Sequence, residues 1–146
     1  MNRRSLTVIV LLSVSIMAVK IVAQSKAPAA SGSGWQLPAD ADQTKNPLTV
    51  DTKLLATGKA LFKDKCQKCH GPGGRGDGPD ADPDAQDDMD LTRASRAAKN
   101  PDGVVFFKAW NGRRKPKMPA VKDDLTKEQL WTIVAYVQTL RKPATP

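Results

Sequence analysis

Apolar residues recur at helical spacing in three stretches of the chain. From about Thr52 to Gln67, Leu54, Leu55, Gly58, Leu61 and Phe62 share one face and lysines take the other. A second stretch carries Val104, Val105, Phe106, Phe107 and Trp110. Asn100-Pro101 opens it, as N-cap and first helical position, and Asn111-Gly112 closes it. The third has the clearest start, with Thr126 and Gln129 at capping-box spacing. Leu130, Ile133, Val134, Val137 and Leu140 then form a stripe, with Trp131 and Tyr136 beside it. Arg141 and Lys142 suit the negative end of that helix. Strand signals are absent. The pattern predicts three helices joined by loops that are long for so small a domain. Loops of that length are functional or are organised by something else.

The N-terminus follows a different pattern. Arg3 and Arg4 precede a run of fourteen residues, Leu6 to Val19, that is almost wholly apolar; Lys20 interrupts it and Ile21-Val22-Ala23 follows. This is the layout of a secretory signal cleaved after Ala23. The rival reading is a retained anchor, residues 6–23, with Lys20 snorkelling to the interface. Both place the remainder on the exported, periplasmic side of a membrane. No cysteine stands just after the apolar run, which argues against a lipoprotein anchor.

Residues 24–47 read as a flexible linker. Gln24 to Gly34 is Ala, Ser, Gly and Pro, and Trp35 to Pro47 stays polar and proline-punctuated. Trp35 could fold back on the domain or be loosely held. The domain is expected over residues 48–142, with a short tail at 143–146. A core of that size is marginal by itself, and a disulfide, metal or cofactor commonly makes up the deficit.

Composition narrows the classes. The chain has 146 residues and a formal charge of +8, which falls to +5 without residues 1–23. That length excludes a large multidomain enzyme. Two cysteines exclude a disulfide scaffold, and one histidine excludes any site needing two imidazoles. Nucleic acid is a poor partner for an exported chain without a recognition motif.

The chemistry lies at the end of the first helix, in Cys66-Gln67-Lys68-Cys69-His70. C-x-x-C-H is the attachment signature of c-type haem. One helical turn brings two thiols to the spacing of the two vinyl groups, giving two thioether links, and sets the histidine under the iron. A redox CxxC would accompany a βαβ pattern, which is missing. Structural zinc takes four Cys/His ligands, and the chain has three in all. One covalent haem c is the expected cofactor, with Cys66, Cys69 and His70 holding it.

The sixth position of iron has two candidates outside the signal region, Met89 and Met118. Met118 sits in Lys117-Met118-Pro119-Ala120, a loop stiffened by proline and able to cross the opposite face. The bland reading is a core gap-filler, though little core surrounds it. Met89, between Asp88 and Asp90, is expected to pack near the haem edge or to be exposed. An open site is the other alternative.

With these residues in hand, the domain resembles a class I, mitochondrial-type bacterial cytochrome c. The match is carried by Gly58 and Phe62, the Cys66–His70 motif, Gly71-Pro72, Met118-Pro119-Ala120 and the last helix with Ala135-Tyr136-Val137, in that order. It covers residues 52–142. The resemblance implies the all-α cytochrome c fold, three to five helices with long loops around one covalently bound haem, with His70 and Met118 as axial ligands. It also implies that the first and last helices cross, with Gly58 permitting close approach and Phe62 and Tyr136 near the contact. The loop Gly73 to Asp90 departs from the pattern.

That loop carries seven aspartates and no base between Gly76 and Asp90. An EF-hand calcium site does not fit its spacing, and a solvated acidic loop is expected. Arg113-Arg114-Lys115-Pro116-Lys117 is opposite in sign. It reads as a solvated surface or as a steering patch for an acidic redox partner, with the two runs forming a dipole. Arg93, Arg96 and Trp110 are unranked candidates for the haem propionates.

The function expected is that of an exported monohaem carrier, not an enzyme. It would move single electrons between respiratory or dehydrogenase partners by outer-sphere transfer. Two alternatives stand beside it: a permanently docked electron-transfer subunit of a dehydrogenase or oxidase, and a haem enzyme or gas sensor with a labile sixth position.

Overall fold

The computed structural model describes residues 29–30 and 34–141. The candidate signal or anchor, residues 1–23, and the tail at 143–146 lie outside the described residues. Five helices are formed among the described residues: α1 (Thr52–Lys65), α2 (Gln67–His70), α3 (Gln86–Met89), α4 (Asp102–Asn111) and α5 (Lys127–Leu140). Two 3-10 turns, Pro83–Ala85 and Ala94–Arg96, interrupt the loops. The mostly helical class is as expected. A two-residue antiparallel pair, β1 (Ala29–Ala30) with β2 (Gln36–Leu37), has no signal in the sequence. Among the described residues, no helix is long and apolar enough to cross a membrane.

Local chemistry sets the helix ends. The Asp51 carboxylate accepts from the Leu54 N–H at 2.7 Å and caps α1. The expected helix to Gln67 is broken at Cys66, which caps α1 by donating its N–H to the Phe62 carbonyl and then leads into α2. Helix α4 starts one residue later than predicted. Pro101 is extended, with ψ 173°, and is itself the N-cap. Asn100 is drawn elsewhere: its amide donates to the Arg96 carbonyl and its oxygen accepts from Lys108 Nζ. In α5 both arms of the Thr126–Gln129 capping box are made, at 3.2 and 2.9 Å.

The core lies where α1 crosses α5. Phe62, Leu130 and Val134 are fully buried there, and each such side chain contributes about 1.5–3 kcal/mol by leaving water. Gly58 makes the crossing close. A Cβ at this position would overlap the Thr132 carbonyl oxygen and stand 2.9 Å from Tyr136 Cβ. Phe62 meets Tyr136 with ring centroids 5.5 Å apart. Phe106 of α4 stacks on Trp131 of α5 at 4.1 Å and on Trp110 at 5.7 Å, which ties α4 to the same core.

Residues 34–47 depart from the flexible linker predicted for 24–47. They form a strap across the helices. Trp35 and Ala41 are buried, and the Asn46 amide donates to the Trp131 carbonyl at 2.9 Å. Asn46 also accepts from the Leu48 N–H, and its own N–H donates to Asp102. The Thr44 carbonyl takes the Gly103 N–H of the first turn of α4. The strap therefore satisfies a helix donor that would otherwise lack a partner.

Candidate haem site

The two thiols and the imidazole sit on one short turn. Cys66 ends α1, and Cys69 and His70 lie on α2. All three are half-buried, and both cysteines are free thiols. Burial, then the nearby Cys69 and Asp64 charges, push the Cys66 thiol up to about 12, so it is neutral at physiological pH. The turn is stabilised from outside. The Gly76 N–H donates to the His70 carbonyl, Gly78 to Cys69 and Asp80 to Lys68. The loop after the motif folds back to satisfy the terminal carbonyls of α2.

His70 is oriented by one bond. Its Nδ1 lies 2.7 Å from the Met89 carbonyl oxygen. A carbonyl only accepts, so Nδ1 carries the proton and Nε2 keeps a lone pair for a metal. Burial lowers the His70 pKa, which keeps the ring neutral. Phe62 packs beside it at 6.5 Å between centroids. The Met89 backbone thus stands behind the imidazole, at the edge away from Nε2. No side-chain pattern signals this contact.

Met118 is held in a separate loop. Its N–H and carbonyl both pair with Arg113, at 2.9 and 2.8 Å, closing residues 113–118 into a turn with a cis Lys115–Pro116 bond. Gly112, at φ 64°, lets this turn lie close; a Cβ there would come within 2.5 Å of the Met118 carbonyl oxygen. Met118 lines a concavity with Gly112, Arg113 and Ala120 that contains none of the three motif residues. Cys66, Cys69 and His70 are thus brought together on one turn, and Met118 is carried by a separate loop.

The two charge runs meet instead of forming a separated dipole. Arg113 Nη2 binds Asp88 at 3.0 Å, and Arg96 binds the same carboxylate at 2.7 Å. Arg93 binds Asp87 at 2.5 Å and Asp90 at 3.2 Å. The arginine bonds hold the Asp88 carboxyl below the usual range. The acidic loop is therefore engaged at its C-terminal end, not wholly solvated. Arg93 and Arg96 already have carboxylate partners, and Trp110 stacks on Phe106. Asp88, Arg96, Lys108, Arg113 and Trp35 wall a cavity of about 470 Å³. Burial and the neighbouring arginines lower the Lys108 pKa to about 8.

The family model of cytochrome c matches residues 55–141. The chain belongs to the cytochrome c family. Among solved structures, a chain of the Kuenenia stuttgartiensis reducing HAO-like protein complex is similar, with 25% identity and a TM-score of 0.52. The match covers 66% of this cytochrome and 47% of that chain, so the cytochrome spans about half the length of its structural relative. No curated protein matches the sequence.

Membership implies covalently bound haem c and haem-based electron transfer. The donor set of this cytochrome fits that group: two free thiols three residues apart and a neutral imidazole with one nitrogen already committed to a carbonyl.

Proposed function

We propose that this cytochrome c is an exported monohaem carrier of single electrons. Its haem would be held through Cys66 and Cys69 and ligated axially by His70 and Met118. The observation that carries the reading is the His70–Met89 bond. It fixes Nδ1 as the donor and leaves the lone pair of Nε2 for a metal.

When bound, a His/Met-ligated haem supplies a one-electron couple of raised potential. The chain's own residues do the rest. Phe62 and the α1–α5 core exclude water behind His70. The Met89 carbonyl holds the ring and raises its basicity as a ligand. The Gly112-to-Ala120 segment would supply Met118 as the second ligand, which would leave the iron no place for substrate. The finer reading as a class I, mitochondrial-type member rests on Gly58, Phe62, Met118-Pro119 and the last helix. Export to the periplasm rests on residues 1–23, whether cleaved or retained as a tether.

The partners are redox proteins, a respiratory or dehydrogenase donor and an acceptor. Arg114, Lys115 and Lys117 stay exposed beside Met118 and suit an acidic docking surface, whereas Arg113 is consumed internally. A second reading is a permanently docked electron-transfer subunit. The similar solved chain belongs to a protein complex, which favours keeping it.

Potentiometric titration of the purified holoprotein tests the proposal. One reversible one-electron wave is expected, moving to lower potential in Met118→Ala. Transfer of more than one electron, or an unmoved wave in Met118→Ala, would contradict it.

A further inference from the structure

Residues 34–37 lie outside the segment that matches the family, yet they touch the loop that bears Met118. The Gln36 carbonyl accepts from Asn111 Nδ2 at 2.8 Å. Trp35 is only 9% exposed, and the Arg113 guanidinium carbon stands 4.3 Å from its ring centroid. Lys108 Nζ approaches the same ring at 5.3 Å.

Arg113 is the node of this arrangement. Its backbone makes both hydrogen bonds to Met118. Its Nε donates to the Pro116 carbonyl at 3.1 Å, and its Nη2 donates to Asp88 at 3.0 Å. Asp88 directly precedes Met89, whose carbonyl holds His70. One side chain thus links the methionine loop to the segment behind the histidine, and the strap's indole covers it. In a run of basic residues a solvated arginine is the ordinary case. Arg113 has a side chain only 9% exposed, while Arg114, Lys115 and Lys117 are exposed. A guanidinium can donate in its plane to two acceptors and still lay its face on an indole, which an ammonium cannot do.

We propose that Arg113 and Trp35 form a clamp that positions the Met118 loop against the His70 segment. This rests on the reading of Met118 as an axial ligand. Without the clamp the loop is held by its two backbone bonds and Gly112, and such a loop opens at low free-energy cost. An added ligand that competes for the methionine's position would then bind more tightly, in proportion to the open population.

The test is a spectroscopic titration of ferric holoprotein with imidazole. Loss of a desolvated cation–π contact predicts about tenfold tighter imidazole binding in Trp35→Ala and Arg113→Lys, equivalent to about 1.4 kcal/mol. Trp35→Phe keeps a ring face and is expected near the wild-type value. Should Trp35→Ala yield no holoprotein, Arg113→Lys decides. Wild-type affinity in that variant and in Trp35→Ala, with tighter binding only in Met118→Ala, would overturn the clamp and leave the ligand assignment standing. A lowered melting temperature with unchanged imidazole affinity would make the pair merely structural and overturn it equally. Unchanged affinity in Met118→Ala would remove Met118 as a ligand, and the clamp with it.

Discussion

Gly58→Ala separates two opposing effects at the helix crossing. In an isolated helix, alanine in place of an interior glycine stabilises by about 1 kcal/mol. Here the added methyl would run into the Thr132 carbonyl of α5 and stand 2.9 Å from Tyr136 Cβ. The obstacle is backbone, held by the α5 hydrogen bonds and by the Asn46 anchor one residue earlier, on Trp131. It cannot rotate away as a side-chain end would. Overpacking of this kind costs about 1–3 kcal/mol, and rigid backbone places Gly58 toward the upper end. The net expectation is a loss of about 1–2 kcal/mol, which lowers the melting temperature by roughly 5–15 °C in a domain of this size. The assay is thermal unfolding of oxidised holoprotein followed by far-UV circular dichroism. Ala60→Gly is the control, because Ala60 is exposed on the same helix and should lose about 1 kcal/mol from propensity alone. A Gly58→Ala midpoint equal to or above wild type would refute the close crossing of α1 and α5.

Other perturbations test other parts of the account. Asn46→Ala removes a donor to the Trp131 carbonyl and an acceptor for the Leu48 N–H; a loss of about 1–2 kcal/mol in denaturant unfolding is expected, and an unchanged midpoint would free the strap from the core. Gly112→Ala puts a Cβ at positive φ and 2.5 Å from the Met118 carbonyl oxygen; a lowered reduction potential is expected, and an unshifted one would contradict the placement of that loop. Lys108 gives a pH signature. Its folded pKa, about 8, lies below the ordinary 10.5, so above pH 8 the unfolded chain binds the extra proton and stability rises until about pH 10.5. Wild type should therefore gain stability relative to Lys108→Gln between about pH 7 and pH 9.5, and parallel pH curves for the two would refute the burial of the ammonium.

What could be read from the sequence was local. The Cys66–His70 motif, the Thr126–Gln129 capping box and the apolar stripe of α5 are each written in a short continuous stretch of sequence. The break at Cys66 and the one-residue shift at Pro101 were not legible, because each depends on where a neighbouring group finds its hydrogen bond. The strap was missed for a different reason. Asn46 reaches Trp131, 85 positions away, and a polar, proline-rich stretch carries no periodic trace of such a contact. The sequence presents Met89 as a side chain, a lesser ligand candidate expected near the haem edge or exposed, whereas its carbonyl is what touches His70. A backbone atom has no signature in residue type. The opposite charge runs were visible, but Arg113 and Asp88 are 25 positions apart, and their pairing emerges only when α3 and the methionine loop are brought together.

The central claim is a haem closed on both sides, fixed to Cys66 and Cys69, with His70 and Met118 as its ligands. The most direct test is the optical spectrum of the reduced holoprotein with and without carbon monoxide. The account predicts no change on adding carbon monoxide to wild type. A carbon-monoxide-bound spectrum in wild type would contradict it, because one axial position would then be open or labile, and the chain would have to be read as a catalytic or sensing cytochrome.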